Sequence, residues 1–187
     1  MTYESFYEEL DAISALRENR MRIAKMVLND HLLYDHLFNI AFKVDDPVSC
    51  KACWVMEFVY LEQPELIIPY LDEFTYNLKQ LQLDSSIRPL AKISQLMVQA
   101  YFKKKPSEIQ SALTNKHLEL ITEACFDWLI QDQKVAAQVY SMYALFYLGK
   151  KYNWIYDALR PVIEKDYNQG SAGYKAASRK VLARIKS

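Results

Sequence analysis

Only three glycines occur in 187 residues, and that shortage excludes a fold built from many short strands. Tight hairpin turns need residues at positive φ, which glycine adopts at least cost. Cysteine is as sparse. Three thiols form an odd set with no framework spacing, which excludes a disulfide-stapled fold and suits a reducing compartment. The three histidines, His31, His36 and His117, are too few and too scattered for a catalytic triad. The chain has no glycine-rich phosphate loop and no serine in a nucleophile-elbow setting. Net charge is also missing: lysine plus arginine number 23, as do aspartate plus glutamate, and the pI is near 6.8. A whole-surface attraction to nucleic acid is therefore not expected. The longest charge-free run, Val135 to Gly149, contains Gln138 and Ser141 and falls short of the roughly 20 residues that span a bilayer. Met1-Thr-Tyr-Glu-Ser is acidic and lacks a charged-then-apolar signal pattern. Together these absences predict a cytoplasmic protein with no membrane partner and no cofactor.

What is present is helical. Apolar residues recur in threes and fours rather than alternating, and the 51% hydrophobic fraction is enough for a continuous core. The pattern predicts an all-α chain of about eleven helices in a single domain over residues 1–187. Asp46-Pro47 opens one helix, with the acid as N-cap and the proline where its missing donor costs nothing. Ser85 or Ser86 is expected to cap another, and Asp132 a long helix to Leu148. The charge-free run reads as a helix buried in the stack. Acids gather at the start (Glu4, Glu8, Glu9, Asp11) and bases at the end (Lys175, Arg179, Lys180, Arg184, Lys186). Helix dipoles explain part of that asymmetry, and an anion-binding face would explain the rest.

A helix-start signal recurs as Asp46, Asp84 and Asp132, at intervals of 38 and 48 residues. Such periods are the mark of stacked helical hairpins. Leu66-Ile-Ile-Pro69-Tyr-Leu71 and Ala158-Leu-Arg-Pro161-Val-Ile163 each place a proline inside a helix that precedes another, where it is expected to bend the rod. The combination resembles HEAT and armadillo-like repeats from about Asp45 onward. The resemblance implies an α-solenoid of stacked antiparallel helix pairs whose second helices line a concave partner-binding surface. Cys50-Lys51-Ala52-Cys53-Trp54-Val55-Met56-Glu57, Lys134-Val-Ala-Ala-Gln138-Val-Tyr140-Ser-Met142 and Ser171-Ala-Gly-Tyr174-Lys175-Ala-Ala-Ser-Arg179-Lys180-Val-Leu182 are similar to a short HEAT-like family of Bacteroidetes-type bacteria, members of which are sometimes labelled adenylosuccinate lyase. A lyase of that superfamily carries a mobile loop with a serine followed by Met-Pro-x-Lys-x-Asn. The segment Gly170 to Lys175 has the serine and the lysine but neither Met-Pro nor asparagine, and it begins a terminal helix.

Cys50-Lys-Ala-Cys53 is a CxxC, yet no strand precedes it, as a redox motif requires. With His31 and His36 it invites a zinc reading, but positions five apart are out of phase on one helix, and buried free thiols are the commoner outcome. Tyr140, Tyr143 and Tyr147 share a helical stripe, which in stacked helices is usually core. Trp54 beside Lys51, and Tyr174 beside Lys175 and Arg179, place rings near cations.

Three functions fit these residues. The favoured one is a non-enzymatic interaction module that binds a protein or peptide segment, or an anionic partner, in a concave groove. Its candidate contacts are Lys51, Trp54, Arg88, Lys92, Gln138, Lys175 and Arg179. The second is a DNA-binding protein similar to the HEAT-like alkylpurine glycosylases, using Arg88, Lys92, Lys103, Lys104, Lys105, Lys175 and Arg179 as a basic track; the neutral net charge disfavours it. The third is a small lyase resting on Ser171, and it lacks the partners general base chemistry needs.

Overall fold

The computed structural model describes residues 1–131 and 133–185. Among them are eleven α-helices and no strand. Asp132 and Lys186 lie outside the described residues, so the expected Asp132 cap does too. The helices are α1 Tyr3–Asp11, α2 Arg17–Asn29, α3 Leu33–Ala41, α4 Val48–Glu62, α5 Leu71–Asn77, α6 Asp84–Tyr101, α7 Glu108–Ala112, α8 Asn115–Ile130, α9 Val135–Leu148, α10 Trp154–Tyr167 and α11 Ala172–Ile185. No described residue has a positive φ, in keeping with the shortage of glycine. No helix among the described residues is long and apolar enough to cross a membrane. The chain divides into two compact units, Met1–Leu90 and Ala91–Ser187.

In the first unit α4 is the central element, packed by α1, α2, α3 and the 3-10 segment Pro64–Tyr70. Its sequence explains the position. VSCKACWVMEFVYLE is apolar on almost every side, and a helix without a polar face must be surrounded. Ala52, Cys53, Val55, Met56 and Val59 are all fully buried. The flanking helices bring one apolar face each: Phe6 and Leu10 from α1, Ile23, Ala24 and Val27 from α2, Leu37, Ile40 and Ala41 from α3. The start of α4 lies one residue later than expected, with Pro47 in the N-cap position, yet Asp46 still supplies the side-chain bond. Asp46 Oδ1 accepts from the Val48 amide at 2.9 Å, and Tyr7 Oη donates to the same carboxylate at 3.0 and 3.1 Å. One carboxylate thus starts α4 and fastens α1 to it.

The two proline segments are not alike. Leu66 to Tyr70 belongs to a 3-10 segment, with α5 starting at Leu71, whereas Pro161 sits inside the unbroken α10. Pro64 opens the first segment at a position where its missing donor costs nothing, and Pro69 then interrupts the ladder just before α5 begins. A third proline, Pro89, lies inside α6. It leaves the Ser85 carbonyl without its helical donor, and Trp54 Nε1 donates to that carbonyl at 2.9 Å. The serines expected to cap α6 lie within its first turn instead. Ser86 is buried, and its hydroxyl sits 3.2 Å from Cys50 Sγ.

The second unit repeats the plan around α9, which α8, α10 and α11 pack against. The charge-free run is buried as expected, with Ala137, Met142, Ala144, Leu145 and Leu148 inside. The start of α8 was not legible as a cap. Thr114 accepts from the His117 amide at 3.3 Å, and His117 Nδ1 accepts from the Thr114 amide at 3.1 Å. The reciprocal pair is a capping box with histidine where glutamate is usual. At the end of α9 the Tyr156 ring occupies the space a Cβ on Gly149 would need, and Tyr156 Oη donates to the Phe146 carbonyl at 3.1 Å. Here glycine is required for close approach, not for its dihedral freedom.

Candidate functional site

In the first unit, the predicted contacts are engaged by the fold. Lys51 Nζ pairs with Asp11 Oδ1 at 2.9 Å, joining α4 to the end of α1. Arg88 Nη2 pairs at 2.8 Å with Glu57 Oε2, whose side chain is only 7% exposed. Half-buried Trp54 satisfies the carbonyl freed by Pro89. These three residues are brought together around α4, but as its ties to α1 and α6. The first member of the proposed DNA track, Arg88, is held in the same way. The CxxC thiols divide between roles. Cys53 is fully buried and donates to the Ala41 carbonyl at 3.5 Å; burial pushes its thiol up to about 12. Cys50 is half-buried. His36 packs edge-on against Tyr3, with ring centroids 5.5 Å apart, and His31 lies in the α2–α3 link. No group of three or more His, Cys, Asp or Glu side chains among the described residues is arranged to hold a metal.

In the second unit, the predicted residues lie nearer to open surface. Gln138 lines a polar cleft of ≈ 400 Å³ between the start of α9 and the α10–α11 link. Gln133, Asp166, Ser171 and Tyr174 share its walls. Two polar atoms of that wall, Gln133 Oε1 and Tyr174 Oη, are buried without a hydrogen-bond partner. Tyr174 is 2% exposed, and burial, with Asp166 adding repulsion, pushes its phenol up to about 12. A buried polar atom lacking a partner is costly, and such atoms mark places where something else supplies the partner. Ser171 Oγ accepts from the Tyr174 amide at 3.2 Å, so it caps α11. That capping role accounts for the serine of the lyase-like segment. Lys175 is half-buried and Arg179 exposed, one turn apart on α11, with Arg179 Nη1 3.4 Å from Tyr167 Oη. Lys92 is half-buried on α6, and Lys103, Lys104 and Lys105 are exposed in the link after it.

Arranging helices in this way, each unit surrounds an apolar helix with amphipathic ones. A scan of protein families matches the HEAT repeat domain over residues 9–185. The chain belongs to the HEAT repeat family. The all-helical architecture and the helix-pair reading of the sequence agree with that membership. No curated protein and no solved structure matches the HEAT chain.

The aromatic stripe of this HEAT chain differs from expectation. Tyr140, Tyr143 and Tyr147 are half-buried, not core, and Lys150 Nζ lies 4.7 Å from the Tyr147 ring centroid. The buried side of α9 is formed by Ala137, Ser141, Met142, Ala144, Leu145, Phe146 and Leu148, and the tyrosine rings lie at its edge. A second cleft, of ≈ 640 Å³, was missed by sequence reasoning. It joins α8 to the α9–α10 link and carries Glu119, Glu123 and Asp127, spaced four apart on α8 and exposed. Their i, i+4, i+8 spacing was the available signal, but nothing in the sequence said which aromatic would lie beside them.

Proposed function

We propose that this HEAT domain acts by binding a segment of another protein, with the polar cleft at Gln138 and the basic face of α11 as its contact surface. The observation that carries the reading is the pair of buried, unpartnered atoms, Gln133 Oε1 and Tyr174 Oη, in the wall of that cleft. A bound main-chain amide would donate to the glutamine oxygen, and a bound carbonyl would accept from the phenol. Lys175 and Arg179 lie on the same helix as Tyr174 and would hold an anionic side chain of the segment. Lys51, Trp54, Arg88 and Lys92 are the other expected contacts. Of these, Lys51, Trp54 and Arg88 act first as ties within the fold, so their part in binding is secondary.

The test is capture from the source cell on the immobilised chain, followed by measurement with the purified captured protein. A Gln138→Ala, Lys175→Glu, Arg179→Glu variant should lose at least one retained protein and bind it about tenfold or more weakly in solution. Identical capture and unchanged affinity would overturn the reading. Labelled duplex DNA, titrated with salt, should show no salt-sensitive binding near physiological ionic strength; a steep salt slope would favour the basic-track alternative.

A further inference from the structure

The cleft between α8 and the α9–α10 link is distinct from the polar one, and its chemistry is opposite. Its aromatic wall is a stacked pair, Phe126 and Trp154, with ring centroids 6.0 Å apart and planes inclined by 20°. Trp154 is 56% exposed, an unusual position for the largest apolar side chain. Three carboxylates, Glu119, Glu123 and Asp127, line the same cleft. No ion pair among the described residues engages them. The lysines nearest the cleft in the chain are directed elsewhere: Lys151 Nζ lies 2.7 Å from Tyr101 Oη, and Lys150 sits over Tyr147. Tyr152 lines the same cleft, and its hydroxyl is buried with no hydrogen-bond partner.

We propose that this cleft takes an arginine or lysine side chain from a basic segment of a partner protein. An indole face attracts a guanidinium or ammonium through the ring quadrupole. The α8 carboxylates accept its N–H bonds, and arginine's planar fork suits two of them at once. The Tyr152 hydroxyl can accept a further N–H. Charge decides the occupant: an acidic segment would meet three like charges, and a neutral one would gain no attraction from them. The volume holds several residues of an extended chain, so a peptide fits better than a lone amine.

Fluorescence anisotropy with short labelled glycine–serine peptides tests this, the peptides carrying arginine, citrulline or glutamate at the same positions. The arginine peptide should bind saturably, and the citrulline and glutamate peptides about tenfold or more weakly. Trp154→Ala should weaken the arginine peptide by about tenfold, and Trp154→Phe by much less because a ring remains. Glu123→Gln with Asp127→Asn should weaken it several-fold and flatten its salt dependence. Substitution of the exposed indole should leave the helical circular dichroism unchanged, and the phenylalanine and amide variants report on the site even if the alanine variant unfolds. Saturable binding equal for all three peptides, no saturable binding, or an arginine affinity indifferent to both sets of variants would overturn the proposal. The Lys175→Glu, Arg179→Glu changes should not affect this binding, so its outcome is separate from that of the polar cleft.

Discussion

The two units solve the same packing problem and use their charged residues differently. Each surrounds an apolar helix, α4 or α9, with amphipathic neighbours. In the first unit the charged and polar side chains tie helices to one another: Glu9 with Arg22 at 2.8 Å, Asp11 with Lys51, Asp46 with Tyr7, Glu57 with Arg88. In the second, Arg160 and Glu164 pair along one helix at 3.9 Å. Meanwhile the acids of α8 and Arg179 of α11 face solvent. A charged residue already committed to a neighbouring helix is poorly placed to recognise a partner. On this ground the proposed recognition is placed in the second unit, with the first serving chiefly as scaffold.

The strongest way to test the common plan is to remove bulk from both central helices. Met56→Ala and Leu145→Ala each delete a fully buried side chain and should each cost about 3 kcal/mol in denaturant unfolding. A cost below about 1 kcal/mol at either position would show that helix is not central.

The difference in charge usage predicts unequal losses from arginine removal. Arg88→Ala deprives a carboxylate that is 7% exposed of its guanidinium and should cost about 2 kcal/mol or more. Arg160→Ala removes a long, half-exposed i,i+4 pair and should cost about 0.3 kcal/mol. Equal costs would remove the distinction between scaffold and surface.

Alkaline pH acts on both units alike. Cys53 and Cys125 are fully buried, and desolvation lifts each thiol from 9.0 to about 12. The folded chain keeps both protons where the unfolded chain releases them. The unfolded state thus binds fewer protons, and stability present below pH 9 falls as pH rises toward 12. The loss approaches about 1.4 kcal/mol per pH unit for each thiol. Denaturant midpoints from neutral pH to pH 11 measure it, and a midpoint independent of pH would contradict the burial. In folded protein a thiol reagent should modify half-buried Cys50 and spare the other two.

Two glycine substitutions should act in opposite directions. Gly149→Ala meets the Tyr156 ring and should destabilise by about 1–2 kcal/mol. Gly173→Ala, whose nearest neighbour would be Val135 at 3.6 Å, should stabilise α11 by about 0.5 kcal/mol. Opposite signs would confirm that close approach, not backbone conformation, explains why glycine stands at position 149.

Much of the fold could be read because its signals are local. The start of α4 at Asp46-Pro47, the start of α6 near Ser85 and the end of α9 at Leu148 lie within two residues of where the sequence put them. The misreadings involve partners distant in the chain. Leu66 to Leu71 looked like Ala158 to Ile163, but the first is mostly 3-10 and the second lies in an unbroken α-helix. His117 looked isolated because the histidine form of a capping box is uncommon. The ties made by Lys51, Trp54 and Arg88 were hidden because Asp11, Ser85 and Glu57 lie 40, 31 and 31 residues away. Phe126 and Trp154 looked unrelated for the same reason.

By itself the sequence determined that the chain is helical, that α4 and α9 must be enclosed, and that few backbone positions need positive φ. Those properties follow from side-chain period and composition, which act over a few residues. Tertiary structure alone decided which charges are neutralised and which remain available, because electrostatic and hydrogen-bond partners are chosen by proximity in space. That choice turns similar bases into ties in one unit and candidate contacts in the other.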